Sequence, residues 1–229
     1  MDITSLDFTP FILSFKLAGI TTLILFIIAI PLSWWLSRTR CKCKPFVEAL
    51  VSLPIVLPPS VIGFYVLVAL SQNSPLGTFF EETFGISLVF NFTGLVIASL
   101  FYSFPFMMQP LQGGFEALNK NMIDASFLAG KNSLQTVLFV GLPNIKPAVL
   151  TAIIVTFAHT VGEFGVVLMV GGSIPGETKV ASVSIYEAVE MMDYSLAHVY
   201  SLIMLVMSFS VLFGVYLFNH HHAKRIGIR

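Results

Sequence analysis

Apolar runs alternate with short polar stretches along the whole chain. Residues 11–36, 46–70, 92 to about 111, 147 to about 170 and 198–218 are nearly continuous in hydrophobic side chains. At ~1.5 Å per helical residue each can cross a hydrocarbon layer ~30 Å thick. The pattern predicts an all-α fold, a polytopic transmembrane helical bundle of about five spans forming one membrane domain over residues 1–229. The shorter segments 76–90 and 179–192 read as amphipathic helices in loops, and they leave a count of six open. No separate cleavable signal is expected, because the first apolar segment is as long as a full span and ends in basic residues.

Composition agrees: 56% of residues are hydrophobic and 10% are charged, which excludes an ordinary soluble core. The net charge of zero conceals an asymmetry. Arg38, Arg40, Lys42, Lys44, Lys120, Lys131, Lys146, Lys224, Arg225 and Arg229 fall in segments on one side of the five spans. Lys16 is within a span, and Lys179 alone is on the other side. The positive-inside rule then puts the N-terminus outside and the C-terminus in the cytoplasm. The outer segments carry Asp2, Asp7, Glu81, Glu82, Glu177, Glu187, Glu190 and Asp193, an acidic face better suited to docking a carrier protein than to collecting anions from solution.

Several groups interrupt the apolar runs. The second span contains Pro54, Pro58, Pro59, Ser60 and Gly63, so its helix must kink or unwind where protein or water shields the freed carbonyls. A pore-facing role and a purely structural kink both satisfy that requirement. Ser99, Tyr102 and Ser103 of the third span are further candidates for a translocation path. Lys16, His159 and Glu163 are intramembrane polar residues. Lys16 and Glu163 lie at similar depth, and pairing them would relieve the ~2.5–3.5 kcal/mol that a lone charge costs in the membrane. His159 reads as an interhelical hydrogen-bonding residue. Cys41 and Cys43 would point to opposite faces of an extended segment beside basic residues, so free thiols are expected. His220 to His222 read as a solvated tail rather than a metal site. No metal site, catalytic group or nucleic-acid site is expected.

The stretch 120–143 is different from both the loops and the spans: it is polar and helix-forming. Asn121 or Asp124 can cap its start, Ala125, Phe127, Leu128, Leu134, Val137 and Leu138 supply an apolar stripe, and Gly130 allows a sharp turn between two short helices. The pattern alone is that of an ordinary loop helix. The order Asp124-Ala125-Ser126, three residues, Gly130, nine residues, Val140, one residue, Leu142-Pro143 resembles the EAA coupling loop of bacterial ABC import permeases. Asp124, Ser126 and Val140 replace the Glu, Ala and Ile of that pattern. LPIVLPPSVIGF at 53–64 and HTVGEFGVVLMVGGSIPGETKVASVSIYEAVE at 159–190 are most similar to molybdate import permeases, with sulfate and tungstate permeases as near relatives.

The resemblance implies a coupling helix that sits in a cleft of a cytoplasmic ATPase, in a bacterial inner-membrane importer. The chain has no phosphate-cradling loop of its own: Ala-Gly-Lys-Asn at 129–132 lacks the first glycine and the hydroxyl of that motif. ATP and Mg2+ are therefore expected in a separate ATPase subunit, two copies of which would serve two copies of this chain. A periplasmic or extracellular binding protein would deliver the tetrahedral oxyanion, most readily molybdate. A secondary transporter is the rival class, and it would need ion-coupling groups and inverted repeats; Glu163 and His159 are the sole hint of the first.

Overall fold

Helix α1, Thr9–Arg38, is the spine of the bundle; its 30 residues reach ~45 Å, well beyond the hydrocarbon thickness. A computed structural model describes residues 6–225, with no strand among them. Pro10 opens α1 in the first turn, where its missing N–H costs nothing, and Arg38 closes it against the negative end of the dipole. The other long helices are α5, Phe92–Glu116, and α12, Tyr194–Arg225. Two further spans are broken. Helices α2, Lys44–Val56, and α3, Pro59–Leu70, meet at 110°, and the short pieces before residue 146 meet α9, Lys146–Val161, at 85°. Counting each bent pair as one span gives up to five.

The break in the second span falls where the prolines demand it. Leu57 and Pro58 are extended, so the α2 ladder stops and α3 starts afresh on Pro59. The fourth apolar run also divides. Helix α9 ends at Val161, Gly162 to Phe164 leave the helix, and α10, Gly165–Gly171, resumes. A turn at 175–178 then leads into α11, Ala181–Glu190, and α4, Pro75–Phe84, lies in the loop after α3.

Four buried clusters hold the bundle. Around Leu111, Phe115, Met107 and Trp34, the ends of α1 and α5 pack against Val137, Ile145 and Ala152. Higher up, Leu17 of α1 meets Leu95 of α5, Val167 of α10 and Val183 of α11. Ile62 of α3 joins Val166 and Val170, and Phe11 stacks edge-on against Tyr200 at 5.4 Å. Helices α3 and α10 cross closely because glycine permits it: a β-carbon on Gly63 would lie 2.8 Å from Cβ of Met169, and one on Gly165 would lie 2.9 Å from Cβ of Pro59. Much of α12 remains apolar and uncovered, including Leu205, Phe209 and Phe213, as lipid-facing surface requires.

Three expectations are corrected here. Residues 41–43 form a turn rather than an extended strand, which brings the Cα atoms of Cys41 and Cys43 to 5.1 Å and joins them in a disulfide. Span three continues to Glu116, five residues beyond the expected limit of 111. Lys16 and Glu163 do not pair: the Lys16 ammonium lies 4.6 Å from the centre of the Phe92 ring, and Glu163 bonds elsewhere. Depth along two helices set their heights alike, but not their rotation about the helix axes. Asp2 and Arg229, and the side chains of His220 to His222, Lys224 and Arg225, lie outside what is described.

Candidate functional site

The polar stretch folds as two short helical pieces. Helix α6, Lys120–Leu128, is capped by Asn119, whose Oδ1 accepts from the Asn121 N–H at 2.9 Å. Asn119, rather than the expected Asn121 or Asp124, therefore takes the cap; Asp124 lies inside the helix. The exit from α6 is a Schellman turn. The Gly130 N–H donates to the Phe127 carbonyl at 2.9 Å, and the Lys131 N–H donates to the Ser126 carbonyl at 3.2 Å. Gly130 sits at φ +79°, the left-handed region that a side chain disfavours, and a β-carbon there would meet nothing within 4 Å.

The second piece begins with a capping box. Asn132 Oδ1 accepts from Gln135 N at 2.8 Å, and Gln135 Oε1 accepts from Asn132 N at 3.1 Å. The Asn-x-x-Gln spacing is visible in the sequence and could have located this start. Helix α7, Ser133–Thr136, passes into one π-helical turn, Val137–Gly141, and then α8, Leu142–Asn144. Across the turn, the buried hydroxyls of Ser126 and Thr136 share a hydrogen bond of 2.9 Å. Ile123 and Val137 anchor the pair in the core, and Leu142 packs against the same cluster. Ala125 and Leu128 face outward, Leu128 at 89% exposure, and Pro143 is also exposed. The segment thus presents a small apolar face outward on a rigid base.

A side-chain strut ties this segment to the end of α1. Trp34 is buried, donates through Nε1 to Ser133 Oγ at 3.2 Å and packs edge-on against Phe115 at 5.3 Å. The Arg38 guanidinium lies 4.8 Å from the Trp34 ring and donates through Nη2 to the Phe115 carbonyl at 3.0 Å. These contacts fasten the start of α7 to the ends of α1 and α5.

Within the bundle, the sequence-derived polar candidates assemble between α5 and α9. Ser99 donates to Glu163 Oε2 at 2.9 Å, and Ser182 of α11 donates to the Glu163 backbone carbonyl at 2.7 Å. Glu163 is 4% exposed, and its Oε1 has no partner. One turn below, Ser103 Oγ shares hydrogen bonds with His159 Nδ1 at 3.0 Å and Thr160 Oγ1 at 2.9 Å. His159 stacks on Phe106 at 3.9 Å and touches Tyr102 at 4.8 Å, as an interhelical residue would. Ser99 and Ser103 are completely buried, and their hydroxyls join α5 to Glu163, His159 and Thr160. Gly63 is likewise taken up in packing. Pro58, Pro59 and Ser60 are exposed at the break, and Pro54 lines an apolar cavity of about 740 Å³ between α1, α2, α3 and α5. Among the described residues no group of His, Cys, Asp or Glu could hold a metal ion.

Comparison with known proteins fits this arrangement. The family described as the binding-protein-dependent transport system inner membrane component matches residues 8–228. A molybdenum transport system permease protein of Azotobacter vinelandii is 43% identical over 94% of this chain and 96% of its own length. A putative molybdenum transport system permease protein of Bacillus subtilis is 32% identical over 91% and 92%. A probable sulfate transport system permease protein of Prototheca wickerhamii is 30% identical over 92% and 82%. Among solved structures, a bacterial ABC transporter for alginate import superposes with a TM-score of 0.74 at 17% identity, covering 96% of this chain and 79% of that one. The MetNI methionine ABC transporter gives 0.73 at 15% identity, covering 93% and 94%. An all-helical membrane chain with broken spans and a hinged segment at one end of its bundle thus belongs to the family of binding-protein-dependent transport system inner membrane components.

Proposed function

We propose that this chain is the permease subunit of a bacterial ABC importer that carries molybdate into the cytoplasm. The observation that carries the reading is the two-piece helix turning at Gly130, which projects Ala125 and Leu128 from the end of the bundle on a base fixed to α1 and α5. A face of this kind suits a cleft in a partner ATPase, which would hold ATP and Mg2+. Asp124, Ala125, Ser126, Gly130, Val140, Leu142 and Pro143 serve as the coupling element; of these Ala125 is exposed for contact, Ser126 and Leu142 fix the base, and Gly130 makes the turn.

Two copies of the chain enclose the path, each bound to one ATPase, with the N-terminus outside and the basic loops in the cytoplasm. Closure of the ATPases on ATP moves the two coupling segments, and the struts at Trp34 and Arg38 pass the motion to α1 and α5. The paired bundles then switch between inward and outward openings as rigid bodies. Release of the anion from a binding protein at the acidic outer face supplies the substrate. The molybdenum permease relatives at 43% and 32% identity support molybdate, and the probable sulfate permeases at 30% and 32% support sulfate as the second reading.

The test is uptake of labelled molybdate by proteoliposomes holding this chain, its ATPase and its binding protein. ATP-dependent uptake that sulfate fails to compete supports the reading. Uptake competed equally by sulfate reassigns the substrate, and ATP-independent uptake overturns the class.

A further inference from the structure

The basic end of α1 and one side of α6 enclose a cleft of about 490 Å³ to which the transport mechanism assigns no ligand. Arg38, Arg40 and Lys120 face Asp124 alone, so the cleft is electropositive, while Trp34 and Phe127 give it an apolar side. Arg38 is held in place by the Trp34 ring and the Phe115 carbonyl, and its buried Nε has no partner. Arg40 and Lys120 form no ion pair among the described residues. Lys120, Ile123, Asp124 and Phe127 recur at helical spacing, so the cleft occupies one side of α6 and leaves Ala125 and Leu128 on another.

We propose that this cleft binds the phosphate headgroup of an anionic phospholipid from the inner leaflet, an inference that rests on the orientation given under the proposed function. Two features favour a lipid over a soluble anion. The cleft lies at the end of a 30-residue apolar helix, at headgroup level. Ile27, Pro31 and Trp35 form an exposed stripe on α1 at spacings of four, leading along the helix toward Arg38. From Ile27 to Arg38 the helix rises ~16 Å, enough to support much of an acyl chain. Phosphate oxygens at Arg38, Arg40 and Lys120 would bridge α1 to α6 and steady the coupling segment.

The experiment uses the complete permease–ATPase complex in nanodiscs of phosphatidylcholine with and without phosphatidylglycerol, reading retained lipid by native mass spectrometry and ATP hydrolysis in parallel. Arg40→Gln with Lys120→Gln should weaken phosphatidylglycerol retention about 30-fold, two interfacial charges having been removed. Lys131→Gln with Lys146→Gln changes net charge equally outside the cleft and should retain the lipid. Equal loss in both double variants, or none in the first, overturns the proposal. Displacement of phosphatidylglycerol by inorganic phosphate alone would assign the cleft to a soluble anion and overturn the lipid. Because binding is read without transport, its failure leaves the permease reading untouched, whereas a complex that binds lipid but lacks coupled hydrolysis counts against the latter alone.

Discussion

Replacing Gly130 perturbs the coupling segment through the backbone alone. Its φ of +79° is left-handed, and a β-carbon would find open space, so no packing change accompanies the substitution. An L residue in that conformation costs ~1–2 kcal/mol, with Asn below Ala and a β-branched residue above both. Relief of the strain means opening the turn, which loses the bonds from Gly130 to Phe127 and from Lys131 to Ser126. Ile123, Val137 and the Ser126–Thr136 bond would still hold the two pieces to the bundle. The turn should therefore change shape while the membrane fold stays intact. A penalty of ~1–2 kcal/mol corresponds to ~5- to 30-fold weaker ATPase binding. Titrating the ATPase onto the permease in nanodiscs should rank affinity as wild type, Gly130→Asn, Gly130→Ala, Gly130→Val. Gly113→Ala is the control: that glycine lies within α5 with no positive φ and free space around it, so the variant should bind normally. Wild-type affinity in Gly130→Val would refute the reasoning.

Gly63→Val should lower thermal stability by about 1–3 kcal/mol through overpacking against Met169, and Met169→Ala should restore part of it in the double variant. Ser99→Ala should cost about 1–3 kcal/mol by leaving Glu163 Oε2 without its donor, whereas Lys16→Ala should leave melting within ~0.5 kcal/mol, since no ion pair is lost. Glu187 of α11 pairs with Lys179. Partial burial pushes its carboxyl up, but the hydrogen bond and charge of Lys179 outweigh that and leave it below the usual carboxylate range. A carboxyl lowered by folding stabilises above its unfolded pKa, and that contribution fades as pH falls through the lowered value. Lys179→Met should flatten this acid-side dependence in a melting-against-pH series.

The helical membrane fold was legible because lipid imposes long apolar runs, and the break at Pro58-Pro59 because adjacent prolines stop the ladder there, whereas Pro31, Pro105 and Pro110 stay inside α1 and α5 and the break after Val161 has no proline to announce it. The turn at Gly130 was legible for a local reason, a glycine between two helix-forming stretches, and the EAA-like spacing singled it out. Long-range partners were not. Glu163 and Lys16 sit at matching depths, yet Glu163 turns toward Ser99 and Lys16 toward Phe92, a choice made by helix rotation and by the break after Val161. The Cys41–Cys43 bond depends on a turn where an extended strand was expected. Ser99 and Ser103 have the polarity of path residues, and only packing reveals that Glu163, His159 and Thr160 occupy them.

The most direct test of the central claim is ATP hydrolysis by this chain assembled with its ATPase and presented with its binding protein loaded with molybdate, tungstate or sulfate. The account predicts stimulation strongest with the molybdate-loaded protein and reduced in Gly130→Val. Hydrolysis indifferent to every loaded binding protein, in a complex shown to be assembled, would contradict it.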